Sequence, residues 1–164
     1  MALDATDLNA TDAGAAANSY VDLDDASTYF ERRPDSGAWR DANVGERVGV
    51  LLFAAILIGR ETYYARKASD AQALSFPLAG QSGVPTKAKH AQLEQALDLL
   101  KGDWTRREEF REMQAVGIKS VTTRETSTDM APVTADGYPA YSLCRAAREL
   151  LMPFVETTIR LGRA

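Results

Sequence analysis

Val48-Gly49-Val50-Leu51-Leu52-Phe53-Ala54-Ala55-Ile56-Leu57-Ile58 carries no polar side chain. Val48, Leu51, Leu52, Ala55, Ile56 and Gly59 recur at helical spacing, and Val50, Phe53, Ala54, Leu57 and Ile58 cover the opposite side. A helix that is apolar all round belongs inside a protein. Eleven residues are too few to cross a bilayer, which takes about 20. The stretch therefore predicts a central core helix buried by its own chain; the alternative is that a second subunit buries part of its surface. Asn43 and Glu46 have the spacing of a capping box and start it, and the apolar pattern carries it to about Tyr64.

Working outward toward the N-terminus, Asp22 reads as the N-cap of a first helix. Asp24 and Asp25 lie where the helix dipole favours negative charge. Leu23, Ala26 and Phe30 form its buried stripe, and Pro34 closes it. These acids do not read as a calcium loop. The sixth and twelfth positions, which need Gly and Glu, hold Ser27 and Arg33. Trp39 follows as a plug for the end of the core. Residues 1–18, rich in Ala, Asp and Thr, have little to bury and read as a flexible arm, ordered if at all by a neighbouring subunit.

Toward the C-terminus, Leu74-Ser75-Phe76-Pro77 forms part of a long connection. Pro77 drives Phe76 into an extended conformation, so Leu74 and Phe76 point the same way and anchor the loop. With Trp39 and Pro77 they are the expected core anchors. A helix follows from Pro85 to about Lys101, with Leu93, Ala96, Leu97 and Leu100 as its stripe and Gly102 as its stop. Thr105 and Glu108 mark a short helix over residues 104–114. The β-branched, polar run from Ile118 to Thr126 reads as a strand, with a second extended stretch near Thr128–Thr134. A two-stranded ribbon is marginal alone in water, so this arm, about residues 116–135, is expected to rest on another chain. Tyr138-Pro139 leads into a last helix striped by Leu143, Ala146, Ala147, Leu150 and Leu151, which Pro153 breaks. Cys144 falls in that pattern as a small core residue.

The whole reads as a mainly α protein. It is a small bundle of about four helices over residues 19–153, with the ribbon arm before the last helix and an extended tail, 154–164.

Function is bounded by charge and by the scarcity of reactive side chains. The net charge is −4, but Met1–Asp41 holds nine acids and three bases, −6, so the rest sums to +2. The balance argues against a protein devoted to gripping phosphates, yet it leaves room for a basic patch. One Cys and one His cannot make a disulfide or a Cys/His zinc site, so no metal or cofactor is expected. No nucleophile elbow or paired-carboxylate motif frames the Ser, His and Asp residues, and an enzyme is not expected. Lys87, Lys89 and His90 cluster at a helix start and read first as a solvated face, with an anionic partner, which would offset their opposition to the dipole, as the alternative. The N-terminus is acidic and lacks an apolar run, so no signal peptide or membrane partner is expected.

Three stretches resemble the head–tail connector, or adaptor, proteins of tailed bacteriophages. They are Asn18-Ser19-Tyr20-Val21-Asp22-Leu23-Asp24-Asp25-Ala26; Ala73-Leu74-Ser75-Phe76-Pro77-Leu78-Ala79-Gly80 with Val84-Pro85 and Lys89-His90-Ala91; and Gly117-Ile118-Lys119-Ser120-Val121. Leu78 and Ala88 depart from the family pattern, which has arginine and a β-branched residue there. The resemblance implies a non-enzymatic virion protein at the head–tail interface, assembled in the host cytoplasm. It implies a closed homo-oligomeric ring, a dodecamer in the common case, beneath the portal protein. The ring would join the portal to a downstream tail or stopper protein, with genomic DNA passing through without sequence readout. On this reading Phe154, Ile159, Arg160 and Leu161 dock on the portal, and Ile118, Val121 and Thr123 make subunit contacts. The same group of sequences is sometimes labelled as resembling a single-stranded-DNA-binding primosomal protein. That alternative would use Tyr63, Tyr64, Arg66, Lys67, Lys87 and Lys89 for stacking and phosphate contacts.

Overall fold

The computed structural model describes residues 3–102, 120–122, 127–129 and 143–156. The chain divides into two compact units, Met1–Leu100 with Leu143–Ala164 and, separately, Lys101–Ser142. The described residues form a short 3-10 turn (Ala5–Asp7), five α-helices and two strands. The helices are α1 (Leu23–Glu31), α2 (Gly37–Asp41), α3 (Val44–Ile58), α4 (Thr86–Leu100) and α5 (Arg145–Leu151); the strands are β1 (Ser120–Thr122) and β2 (Ser127–Asp129). The mainly helical expectation holds.

The apolar run becomes α3. Asn43 and Glu46 close the expected capping box, with Glu46 N–H donating to Asn43 Oδ1 (3.0 Å) and Asn43 N–H to Glu46 Oε2 (2.8 Å). The helix stops at Ile58 rather than near Tyr64, because Gly59 caps it and the chain turns away. Two groups of buried side chains use its two sides. Leu51 and Ala54 join Val21, Ala26, Phe30, Trp39, Leu93, Ala96 and Leu97. Ala55, Leu57 and Ile58 join Tyr20, Phe76, Leu78, Ala88, Ala91, Leu143, Ala147 and Leu151. Burial of each large aliphatic chain here contributes roughly 1.5–3 kcal/mol. Burial is not complete all round. Ile56 is 53 % exposed, a correction to the reading of the run as core on every side.

Asp22 caps α1 as expected, its Oδ1 accepting from Asp25 N–H at 2.7 Å. Asp22→Ala is expected to lower the unfolding free energy by about 1 kcal/mol in urea titration. Trp39 sits on α2 rather than in a bare connector and is buried, with its ring 4.6 Å from that of Phe30. Phe76 and Pro77, joined by a cis peptide bond, are buried, and Leu74 is half-buried on the same cluster as Phe76. All four expected anchors thus reach the core.

α4 buries more than its apolar stripe. Gln92 and Gln95 are fully buried beside Leu93, Ala96 and Leu97. Gln92 accepts from Tyr20 N–H (2.8 Å) and donates to Ser19 Oγ (2.7 Å) and to the Leu51 carbonyl (2.9 Å). Gln95 accepts from Cys144 N–H at 2.7 Å. Cys144 is half-buried against the core cluster and also serves as the N-cap of α5, its sulfur 3.5 Å from Ala147 N. In α5, Ala147 and Leu151 are buried, while Ala146 faces solvent.

Residues 3–18 differ from the expected free arm. Asn18 ties them down, accepting from Asn9 N–H (2.7 Å) and donating to the Asp7 carbonyl (2.8 Å). Ala73 N–H donates to the Gly14 carbonyl (3.1 Å) and Val84 N–H to Asp12 (3.2 Å). A Cβ on Gly45 would lie 3.3 Å from the Leu3 carbonyl oxygen, so a glycine there lets the segment approach α3. The segment is held by polar bonds to its own chain, which a search for apolar burial overlooks.

The start of the tail is likewise engaged. Tyr63 and Val155 form an isolated antiparallel bridge, with Tyr64 N–H donating to the Phe154 carbonyl and Glu156 N–H to that of Thr62, both at 3.0 Å. Phe154 packs its ring 5.3 Å from that of Phe76. It is half-buried against this chain's own core rather than free in an extended tail. Ile159, Arg160 and Leu161 lie outside the described residues, as do the helix expected at 104–114 and both Ile118 and Thr123. In the second unit β1 and β2 pair antiparallel, Val121 opposite Thr128.

Two tyrosines, Tyr20 buried and Tyr63 half-buried, give the fold an alkaline limit. Burial pushes the Tyr20 hydroxyl from 10.0 to about 12, and it raises that of Tyr63 as well. The unfolded state ionises first, so each favours folding fully below pH 10 and loses that contribution as pH rises toward the folded value. Stability in urea is expected to be level up to pH 9 and to fall between pH 10 and 12 by about 1.4 kcal/mol per pH unit for each tyrosine.

Candidate functional site

Asp25, Thr28 and Tyr29 of α1 and Arg32 at its C-cap follow one another at i, i+3, i+4 and i+7. Thr86, Lys89, His90 and Leu93 do the same along α4. That spacing puts each set on one helix face. The two faces, with Val21 and Arg33, line an open groove of about 560 Å³. Its floor is apolar, since Val21 and Leu93 belong to the core cluster of α1 and α3. The volume lies in the range of small-molecule sites, ~300–1,000 Å³.

An aromatic pair sits in the groove. The rings of Tyr29 and His90 are 4.8 Å apart and tilted by 46°. Tyr29 also meets Phe30 edge-on at 5.2 Å. Its hydroxyl donates to Glu94, and the Arg33 guanidinium donates to the same carboxylate. Arg33 grips Asp35 through two further bonds, at 2.9 and 2.7 Å, and lies over the Tyr29 ring at 5.7 Å. The bond to Asp35 holds the Arg33 proton more tightly than usual. Burial, then the bond to Glu94, raises the Tyr29 hydroxyl. Tyr29 is therefore a neutral donor fixed from both sides, with one face of its ring engaged by His90.

Around this pair stand cations with spare capacity. Among the described residues, no hydrogen bond or ion pair engages the side chains of Arg32 or Lys89. Lys87, one residue into α4, is exposed and equally unengaged. Lys87 and Lys89 stand in the first turn of α4, where positive charge opposes the dipole. An anion in the groove would relieve that repulsion. The acids behind the net charge of −4 are concentrated in residues 1–41, and of these only Asp25 lines the groove.

The six residues of the sequence-based DNA alternative fall into two groups. Lys87 and Lys89 lie at the start of α4, beside or within the groove. Tyr63, Tyr64, Arg66 and Lys67 lie in the loop after α3. There Tyr63 is half-buried against Phe76, ring centroids 4.7 Å apart, and its hydroxyl donates to the Ile58 carbonyl at 2.7 Å. Lys67 Nζ donates to the carbonyls of Gln72 (3.2 Å) and Ala73 (2.9 Å). Both therefore act in packing and loop closure, while Tyr64, 58 % exposed, and Arg66 remain open to solvent. Sequence reasoning missed Tyr29, Arg32 and Arg33. Their signal was present as an aromatic–cation run, Tyr29-Phe30-Glu31-Arg32-Arg33, but nothing local tied it to Lys89 and His90 more than 50 residues on.

No group of three or more His, Cys, Asp or Glu placed to hold a metal occurs among the described residues. No helix of the described residues is long and apolar enough to cross a membrane. Residues 7–164 match a family model described as "Putative DnaT-like ssDNA binding protein". No curated protein and no solved structure matches the chain.

Proposed function

We propose, since this chain belongs to the DnaT-like ssDNA-binding protein family, that it binds single-stranded DNA without catalysis, through the groove between α1 and α4. The observation that carries this reading is the conjunction of an aromatic pair, Tyr29 and His90, with the unengaged cations Arg32 and Lys89 in one open groove. Stacking on an aromatic ring is available to any base and contributes about 1–3 kcal/mol per base, while cations hold the backbone. The groove opens on separate bases; a duplex would hide their faces in its stack. The reading is tested by fluorescence anisotropy with a labelled 20-mer and its duplex. Binding to the single strand that weakens steeply with salt, with the duplex weaker, supports it. Failure to bind the single strand at 20 mM salt refutes it.

The ribbon supports a second reading, as a head–tail connector of a phage particle. Strands of three residues each, paired only with one another among the described residues, are marginal alone, and a neighbouring copy in a ring would shelter them. Portal and tail proteins would be the partners, the virion the location, and DNA the content of the channel. Two of the sequence features that suggested it have changed meaning, because residues 3–18 and Phe154 engage their own chain. Light scattering after size exclusion, first alone and then with portal, decides it. A single-copy mass in both runs removes the connector.

A further inference from the structure

We infer that Asp25 makes the groove select bases that carry an exocyclic amino group over thymine; this rests on the single-strand reading above. Asp25 and Tyr29 share one face of α1 and Arg32, its C-cap, follows at the same spacing, the tyrosine four residues after the aspartate and three before the arginine. At 1.5 Å of rise per residue, Asp25 and Arg32 are about 10 Å apart along the helix. That is close to the reach of a nucleotide from its phosphate to the far edge of its base. The face thus presents, in order, an anionic acceptor, a ring for stacking and a cation.

A phosphate is drawn to Arg32, with Lys89 on the facing helix, and is repelled by Asp25. A base resting on Tyr29 then directs its edge toward Asp25. Among the described residues, no hydrogen bond or ion pair engages the Asp25 carboxylate, although its backbone N–H is held by Asp22. An ionised carboxylate only accepts hydrogen bonds. Cytosine N4, adenine N6 and guanine N2 offer amino hydrogens to it. Thymine offers a single imide N–H flanked by two carbonyl oxygens that the carboxylate repels. Thr28, one turn from Asp25 on the same face, can donate or accept and adds no bias of its own.

The test compares labelled dC12 and dT12 by anisotropy at pH 7.5, a pair matched in ring size. The full-length protein is expected to bind dC12 about fivefold more tightly, the effect of one exposed charge-assisted hydrogen bond. Asp25→Ala is expected to bring the ratio close to one, chiefly by weakening dC12 binding as that hydrogen bond is lost. Asp25→Asn, which keeps an acceptor but adds a donor that thymine can use, narrows it as well. If Asp25 served only the stability of α1, both oligonucleotides would weaken together and the ratio would stand; that result overturns the inference. Equal binding of dC12 and dT12 by the unaltered protein overturns it too, while leaving the single-strand reading intact. Binding of neither overturns both.

Discussion

A chain carrying Arg32→Ala and Lys89→Ala together is expected to bind single-stranded DNA about 25-fold more weakly at 0.1 M salt. The figure follows from counterion release. Each phosphate contact on a single strand adds about 0.7 to the slope of log K against log salt, so the loss of two lowers the slope by about 1.4. At tenfold dilution from 1 M salt, that slope difference is 1.4 decades, about 25-fold. The fold should not suffer. Both side chains are unengaged among the described residues, and surface changes of this kind stay within about 0.5 kcal/mol. A salt titration of the variant beside the parent reads both quantities at once. Unchanged slope and affinity would place the DNA elsewhere, with Tyr64 and Arg66 the next residues to replace. A lost slope with an unchanged melting curve is the signature of a phosphate track in the groove.

Replacing Gln92 by leucine is expected to remove about 3–5 kcal/mol of stability, the largest effect of any single change considered. Leucine is close to glutamine in volume, so the loss is of bonding rather than of space. Three bonds to two parts of the chain would be lost: from Tyr20 N–H, to its neighbour Ser19 Oγ and to the Leu51 carbonyl of α3. Leaving one buried polar group without a partner costs about 1–3 kcal/mol. Ser19 recovers part of that through the Val21 carbonyl, to which its hydroxyl donates at 2.6 Å. Gln92 also fixes the backbone just before α1 against α3 and α4, and so sets the distance across the groove. Urea unfolding monitored by circular dichroism measures the effect. A change below 1 kcal/mol would mean that the interior readily supplies other partners, and that this glutamine does not hold the groove's two walls in place.

The same glutamine shows why part of the fold was out of reach before the structure. A polar residue between Ala91 and Leu93 reads as a solvated position, because periodicity scores side chains by type. Its partners lie 41 to 73 residues away and become neighbours only when α3 and α4 pack. The contact of Phe154 was hidden for a related reason. Past a helix-breaking proline, an aromatic looks detachable until the ring of Phe76 is seen beneath it.

The sequence by itself determined where α1 and α3 begin. Asp22 and Asn43 cap α1 and α3 through bonds that span three residues, so the information is local and survives without tertiary context. It also determined that Val48–Ile58 is central and that Trp39, Phe76 and Pro77 are inside, since large apolar side chains have nowhere else to go. Tertiary structure alone decided that α3 ends at Gly59, that residues 3–18 lie on their own body and that Ile56 stays in solvent. It alone set the face of α1 opposite that of α4. Helix periodicity gives each stripe, but which stripes meet depends on how the whole interior packs, and the groove exists only where two of them do.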